Sequence, residues 1–550
     1  MIRPGLMQPY PLNVAMLCRR VESQFPNKMV TTRRQGLDRA VTYRRLMQRS
    51  RQLADTLRRA GVRQGDCVST LMWNSQEHLE AYFAIPGIGA VLHTVNARLP
   101  ADTINALLDD TRPVAILVDA SLLPTLHQVK RPRSLKLIVR VAEEASGNDD
   151  RVDAEDYEGL IASGSRAFEW PDVDEQAACG ICHTSGTTGR SKGVVYSHRS
   201  VVLHAMSMLF ADGIALSEQD VCLTVVPMFH AVGWGFPYGC ALAGASQALS
   251  WRQSDPQTLV ALIEHTRATL ATAVPTVWIN LLEQLRSGEI DPSRLRGLTR
   301  LPIGGATVSS DLIDGYARFG IRVQHCWGMT EVSPLGLVST RRSWLSDDSW
   351  SQQRLTPGVP LPGCELRVMT PQGTIVPAGG GVVGELQIRG PWVADAYLDL
   401  DAEDGRGGAD SFDTDSDGRR WLKTGDIAQI DSDGYVRIVD RAKDLIKSGG
   451  EWISSLELES ALVQHPSVRE AAIVGVPDPV WQERPVAFVS LVEDRDEAQL
   501  DLAGYLASRL PRWQIPERFI VLQELPKNNT GKLDKVRLRE LTTGDGRHDD

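Results

Sequence analysis

Ten consecutive residues, Thr184-Ser185-Gly186-Thr187-Thr188-Gly189-Arg190-Ser191-Lys192-Gly193, carry three glycines, five hydroxyls and two cations. Glycine leaves backbone N–H groups free to turn toward an anion, the hydroxyls add donors, and Arg190 and Lys192 add positive charge. Such a segment is suited to gripping a polyphosphate. The common P-loop places glycine directly before its lysine, whereas Ser191 precedes Lys192 here. A flexible surface turn is the competing reading. Strand-like stretches on both sides favour a held loop: Gly180-Ile181-Cys182-His183 leads in and Gly193-Val194-Val195-Tyr196-Ser197-His198 leads out.

At 550 residues the chain exceeds a single core, so at least two domains are expected. A formal net charge of −10 argues against a nucleic-acid-binding surface. Met1-Ile2-Arg3-Pro4-Gly5 lacks the apolar run of a secretion signal. Residues 221–251 contain no formal charge, yet Pro227, Gly233, Gly235, Pro237, Gly239 and Gly244 interrupt them too often for a membrane helix. Buried strands and loops around a cavity are expected there, and no integral membrane segment. Eight scattered cysteines point to reduced thiols and a cytoplasmic location. The lone pair Cys179 and Cys182 reads as buried strand rather than a zinc or redox site.

Helix-like and strand-like segments alternate from residue 41 to 119. Thr42 caps a helix carrying Leu46, Leu53 and Leu57, residues 67–72 read as a strand, 76–85 as a helix, and 115–118 as a strand. A second alternation runs over residues 258–305, and together they predict parallel sheets covered by helices. After residue 333 short strands separated by Gly and Pro take over, including a hairpin turned by Asp431-Ser432-Asp433-Gly434. A small antiparallel barrel or sheet fits this region. Residues 399–420, acidic and glycine-rich, are expected to form an exposed, mobile insertion.

Further segments add chemistry. Gln324-His325-Cys326-Trp327-Gly328-Met329-Thr330-Glu331 places an aromatic plane, a hydroxyl and a carboxylate in one turn. The ring can stack on adenine and the carboxylate can hold Mg²⁺ beside phosphate oxygens, though a helix N-terminus would use the same Thr330 and Glu331. Gly304-Gly305-Ala306 follow a strand and allow either close backbone approach to a ligand or a tight turn. Thr424-Gly425-Asp426 offers a carboxylate to two ribose hydroxyls, or a plain turn. Mixed charges run from Asp440-Arg441-Ala442-Lys443-Asp444 to Lys447-Ser448-Gly449-Gly450-Glu451, and Pro526-Lys527-Asn528-Asn529-Thr530-Gly531-Lys532 sets a lysine on a Gly/Asn turn.

In this order the segments resemble the signatures of the adenylate-forming superfamily: acyl-CoA synthetases, luciferases and the adenylation domains of peptide synthetases. The resemblance spans nearly the whole chain. It implies a mixed α/β and α+β protein with a large N-terminal domain (residues 1–439) of parallel αβ-layered subdomains plus a small β-barrel. A hinge (440–445), a smaller mobile α+β C-terminal domain (446–541) and a disordered tail (542–550) follow. ATP would be held by Ser185, Gly186, Thr187, Thr188, Gly189 and Lys192 at its phosphates. Gly304, Gly305, Ala306, His325, Cys326 and Gly328 would border the nucleotide, and Trp327 would lie along its adenine. Thr330 would meet the α-phosphate, Asp426 the ribose, and Thr184 with Glu331 would hold Mg²⁺. Lys532 would reach the reacting phosphate. The domain would swing about Lys443, with Arg441, Lys447, Gly449, Gly450, Glu451 and Trp452 around the nucleotide and the entering thiol of coenzyme A.

Val226-Pro227-Met228-Phe229-His230-Ala231-Val232-Gly233-Trp234 bears on the acid. In fatty acyl-CoA synthetases the matching His lies near the carboxylate, and Trp234 resembles a gate on an acyl tunnel, ordinary core packing being the alternative. The stretches around His93 and around Gly449 look most like medium- and long-chain fatty acid ligases. No Asp follows the Pro-Met-Phe stretch to hold an amine, so an amino acid substrate is disfavoured. The resemblance implies an acid–thiol ligase that makes acyl-AMP and then acyl-CoA from a carboxylic acid, ATP and CoA. A ligase loading a carrier protein, or one for short, thioether or aryl acids, is the alternative. Oligomeric state stays open, with a homodimer among the options.

Overall fold

The computed structural model describes residues 6–141, 153–184, 191–449, 451–492, 500–527 and 533–543. The Thr42 hydroxyl accepts from the Arg45 N–H at 3.3 Å and starts helix Tyr43–Arg59, which buries Leu46, Leu53 and Leu57 on one face. That helix and Gln76–Gly87 supply apolar side chains to the largest core cluster. The second helix runs through Pro86, two residues beyond the sequence expectation: the Tyr82 carbonyl, which proline leaves without its helical donor, accepts from the Tyr238 hydroxyl at 2.9 Å instead.

Two largely parallel sheets build the bulk of the chain. One places Glu155–Asp156, Leu137–Val141, Ala115–Asp119, Cys67–Leu71, Val91–Thr94 and Ala178–His183 side by side in parallel, with Gly193–Ser197 antiparallel at its edge. The other has Arg322–Gly328, Arg300–Ile303, Leu270–Thr272, Val221–Thr224, Ser246–Leu249 and Met29–Arg34 as its parallel centre. Residues 221–251 are not only strands and loops. Phe236–Ala243 is a fully buried helix, with Pro237 in its first turn and left-handed Gly244 at its end. Proline and glycine act there as helix start and stop rather than as breakers.

A third, antiparallel sheet contains Ile375–Val376, Glu365–Met369, Gly384–Arg389, Arg420–Ile430 and Phe412–Thr414, with Val436–Arg441 also on Arg420–Ile430. Among the described residues no ladder joins its outer strands, so the expected barrel closure is not seen. Its edge strand Ile375–Val376 is only two residues long. Residues 399–420 also differ from expectation. Tyr397–Leu398 pairs with Arg406–Gly407, and Phe412–Thr414 pairs with Arg420–Ile430. Phe412 is 8% exposed, and its ring lies 5.9 Å from that of Tyr397. A single apolar anchor, averaged away in the composition, folds this segment down.

The chain leaves the antiparallel sheet at Arg441 and enters a five-stranded sheet at Ile446. Ile446–Ser448, Glu451–Ile453, Val468–Asp478, Gln482–Leu491 and Arg518–Val521 form that sheet, packed with helix Ser455–Val463. The final helix, Lys535–Thr543, takes in the first residues of the expected tail. Among the described residues no helix is long and apolar enough to cross a membrane. All eight cysteines are buried and unbridged.

Candidate active site

Gly304-Gly305-Ala306 and Met329-Thr330-Glu331 follow the carboxyl ends of Arg300–Ile303 and Arg322–Gly328, and Thr184 that of Ala178–His183, where an open α/β sheet offers its crevice, whereas Thr424-Gly425-Asp426 lies within the antiparallel strand Arg420–Ile430. Ala178–His183 and Gly193–Ser197 pair antiparallel with His183 opposite Gly193, so Thr184 and Lys192 stand side by side at the base of the segment that joins them. Its base is pinned twice: Thr184 N–H donates to the Lys192 carbonyl at 2.9 Å, and Lys192 N–H to Thr184 Oγ1 at 3.1 Å. Ser185, Gly186, Thr187, Thr188 and Gly189, with Arg190, lie outside the described residues.

Lys192 reaches away from this base. Its ammonium sits 4.6 Å from the centre of the Tyr397 ring and donates to Ser411 Oγ at 3.1 Å. The Tyr397 hydroxyl donates to Glu331 Oε1 at 2.5 Å. Glu331 is 5% exposed, and burial is the main force raising its carboxyl above the usual range, opposed by Tyr397, Arg441 and Lys192. The Tyr196 hydroxyl donates to the Thr330 carbonyl at 2.8 Å. The strand leaving the loop therefore braces the turn that bears Thr330 and Glu331.

Trp327 stands at the end of Arg322–Gly328, and its indole N–H donates to Asp426 Oδ2 at 2.8 Å. Arg441 Nε meets Asp426 Oδ1, also at 2.8 Å. The register explains this, because Asp426 and Arg441 face each other across the antiparallel pair. An aromatic face, a 2%-exposed carboxylate and a guanidinium are thus tied into one unit. Behind Trp327, His325 Nδ1 meets the Leu355 carbonyl at 3.0 Å, and burial pushes its pKa down to about 4, so it is neutral near pH 7. Cys326 is buried as well. Gly304 admits no side chain, since a Cβ would stand 2.9 Å from the Cys326 carbonyl oxygen, and Gly328 would meet that of Pro334 at 1.7 Å. Gly305 turns with φ +87°, and Ala306 beyond it is exposed.

His230 and Trp234 lie on one unusual turn. Five successive residues, Ala231–Gly235, all have positive φ, between 34° and 76°. The left-handed region costs a non-glycine residue about 1–2 kcal/mol, so surrounding structure must impose it. Asn74 holds the approach, accepting from Met228 N–H at 2.7 Å and donating to the Thr224 and Val226 carbonyls. The Tyr82 hydroxyl donates to the Met228 carbonyl. Gly235 fits against His204, where a Cβ would come within 2.5 Å of the ring.

The remaining expected residues group elsewhere. Lys447 lies over the Trp452 ring at 4.8 Å, Gly449 N–H donates to the Trp481 carbonyl at 2.9 Å, and Glu451 is exposed. Lys443 sits in an exposed turn between Arg441 and Asp444. Gly450 and Lys532 lie outside the described residues. Sequence reasoning passed over Tyr397, Ser411, Tyr196, Asn74 and Tyr82. Their partners lie far along the chain, and only the hydroxyl-bearing aromatic just before the acidic stretch hinted at Tyr397.

The family model described as "AMP-binding enzyme" matches residues 18–398, and "AMP-binding enzyme C-terminal domain" matches residues 457–532. A long-chain-fatty-acid–CoA ligase of Thermus thermophilus is 40% identical over 98% of this chain and 97% of its own length. A 3-methylmercaptopropionyl-CoA ligase of Ruegeria pomeroyi is 39% identical over 89% of this chain and 90% of its own. The crystal structure of the anthranilate CoA ligase AuaEII with anthranoyl-AMP superimposes with a TM-score of 0.83 at 25% identity, covering 97% and 99% of the two chains. The chain belongs to the AMP-binding enzyme family, as an AMP-forming acid–thiol ligase.

Proposed function

We propose that this protein joins a medium- to long-chain fatty acid to coenzyme A through an acyl-adenylate, releasing pyrophosphate and AMP. The observation that carries this reading is the joining of Trp327, Asp426 and Arg441 beside a turn whose Glu331 is buried and braced. Trp327 would lie along adenine, Asp426 would take the ribose hydroxyls, and Thr330 would meet the α-phosphate. Thr184 and Glu331 are hard oxygen donors, one buried and ionisable, and they fit Mg²⁺, which takes few protein ligands and keeps substrate phosphates and waters. Bound there, the ion would offset polyphosphate charge.

A carboxylate cannot be attacked by a thiol, because its leaving group would be oxide. The acid oxygen therefore attacks the α-phosphorus, the bond to pyrophosphate breaks, and a mixed anhydride forms. Residues 184–192 would hold the departing phosphates, and Lys532 would meet charge growing on the α-phosphoryl group. The thiol of CoA then attacks the acyl carbon and AMP leaves. One pocket serves both steps, so the C-terminal domain would turn about Lys443. His230 would lie near the carboxylate, and Trp234 would face the alkyl chain.

Saturated acids of increasing length, each with ATP, Mg²⁺ and CoA, test the reading through AMP and acyl-CoA formation. Medium and long chains should exceed short ones. The Ruegeria relative favours a second reading, a ligase for short thioether acids. Preference for 3-methylmercaptopropionate over octanoate and longer acids would put that reading first.

A further inference from the structure

We infer that Thr94 and Cys182 are positioning residues for acid recognition, a role that rests on the proposed placement of His230 and Trp234 at the acid. Val91–Thr94 and Ala178–His183 run parallel with Leu92 opposite Gly180 and His93 opposite Ile181. One step further along this register Thr94 comes opposite Cys182, with Thr94 Oγ1 3.1 Å from Cys182 Sγ. Both side chains are buried. Val232 N–H donates to Cys182 Sγ at 3.2 Å, and Thr94 Oγ1 donates to the Phe229 carbonyl at 3.3 Å.

With the Thr94 hydroxyl directed at Phe229, these contacts fit one direction of donation. Thr94 spends its hydroxyl proton on Phe229, so the Cys182 thiol donates to Thr94, and the sulfur accepts from Val232. Burial is the largest influence on the Cys182 thiol and raises its pKa, so the proton stays on sulfur, where it can be donated to Thr94. The relay runs from Val232 N–H through Cys182 and Thr94 to the Phe229 carbonyl. It brackets His230 and Ala231 from both sides, where the backbone enters its left-handed run. Val232 is β-branched and holds φ +52°, a conformation it would leave without an external acceptor for its N–H. The same Cys182 lies two positions before Thr184, on the strand that opens into residues 184–192. The turn that meets the acid is thereby fixed to the strand that carries the nucleotide loop.

The test uses Thr94→Val and Cys182→Ala, which break the relay, with Thr94→Ser and Cys182→Ser, which keep a donor and acceptor at each place. Acid KM and the chain-length profile are measured at saturating ATP, ATP KM at saturating acid, and Tm for each protein. Removing about one hydrogen bond's worth of orientation should raise acid KM about tenfold and shift the length profile, with ATP KM within about twofold of wild type. The serine variants should recover acid KM to within about threefold, and the double variant should be little worse than either single one, since both cut one relay. Acid and ATP KM rising together, a lowered Tm with an unaltered profile, or no recovery with serine would each overturn the inference. If Cys182→Ala fails to fold, the Thr94→Val and Thr94→Ser pair decides alone. Wild-type protein inactive on every fatty acid would refute the proposed function, whereas active wild type with indifferent variants would refute only this role.

Discussion

Replacing Asp426 by Asn should weaken ATP binding while sparing the acid. The carboxylate accepts from Trp327 on one oxygen and from Arg441 on the other, both at 2.8 Å. An amide has only one oxygen, so one of these donors must face an NH₂ group and lose its acceptor. With Trp327 and Arg441 competing for the one remaining oxygen, the ribose hydroxyls lose a charged acceptor, and a hydrogen bond to a charged group is worth about 1.5–3 kcal/mol, roughly 10- to 150-fold in affinity at 1.4 kcal/mol per decade. The stability cost should be small, because the Arg441 side chain is 40% exposed and its ion pair is screened. Initial rates of pyrophosphate release at saturating acid give the ATP KM, and thermal melting gives the control. Comparing ATP with its 3′-deoxy analogue adds a second arm, since the wild type should discriminate and the variant should not. An ATP KM within about twofold of wild type, or an equal rise in acid KM, would refute the assignment.

Lys532→Ala should abolish adenylate formation yet leave conversion of supplied acyl-AMP to acyl-CoA largely intact, and equal loss of both half-reactions, followed by quenched flow, would exclude that division. Lys443→Pro fixes φ near −65° and should spare adenylation while cutting thioester formation steeply; unchanged turnover would move the hinge elsewhere. Trp234→Ala should raise fatty acid KM and alter the length profile, each buried methylene contributing about 0.8 kcal/mol, whereas a packing tryptophan would lower only Tm. Tyr397→Phe removes the 2.5 Å bond to Glu331 and should raise the Mg²⁺ concentration for half-maximal ATP binding, read by calorimetry, with acid KM unmoved.

Local physics made much of the molecule legible. The Thr42 cap, the Cys67–Leu71 strand, the hairpin at residues 431–434 and the paired strands around residues 184–192 follow from periodicity and turn chemistry alone. What escaped depends on partners distant in sequence. Tyr397 finds Glu331 across 66 residues, and Phe412 anchors a segment whose composition reads as disorder. Phe236–Ala243 was hidden because Pro237 and Gly244 can start and stop a helix as readily as they break one. The left-handed backbone at Ala231–Gly235 leaves no mark in the sequence beyond two glycines, since neighbouring strands impose it. The open antiparallel sheet likewise depends on which edges meet, and residue periodicity does not encode that.

The claim that this chain activates an acid by adenylation is tested most directly by following the acid's own oxygen. A fatty acid labelled with heavy oxygen in both carboxylate positions is turned over with ATP, Mg²⁺ and CoA, and the nucleotide product is weighed by mass spectrometry. Attack of the carboxylate on the α-phosphorus predicts that each AMP carries one heavy oxygen, with unlabelled pyrophosphate and one heavy oxygen left in the acyl-CoA. Unlabelled AMP, or label found in inorganic phosphate beside ADP, would contradict the account.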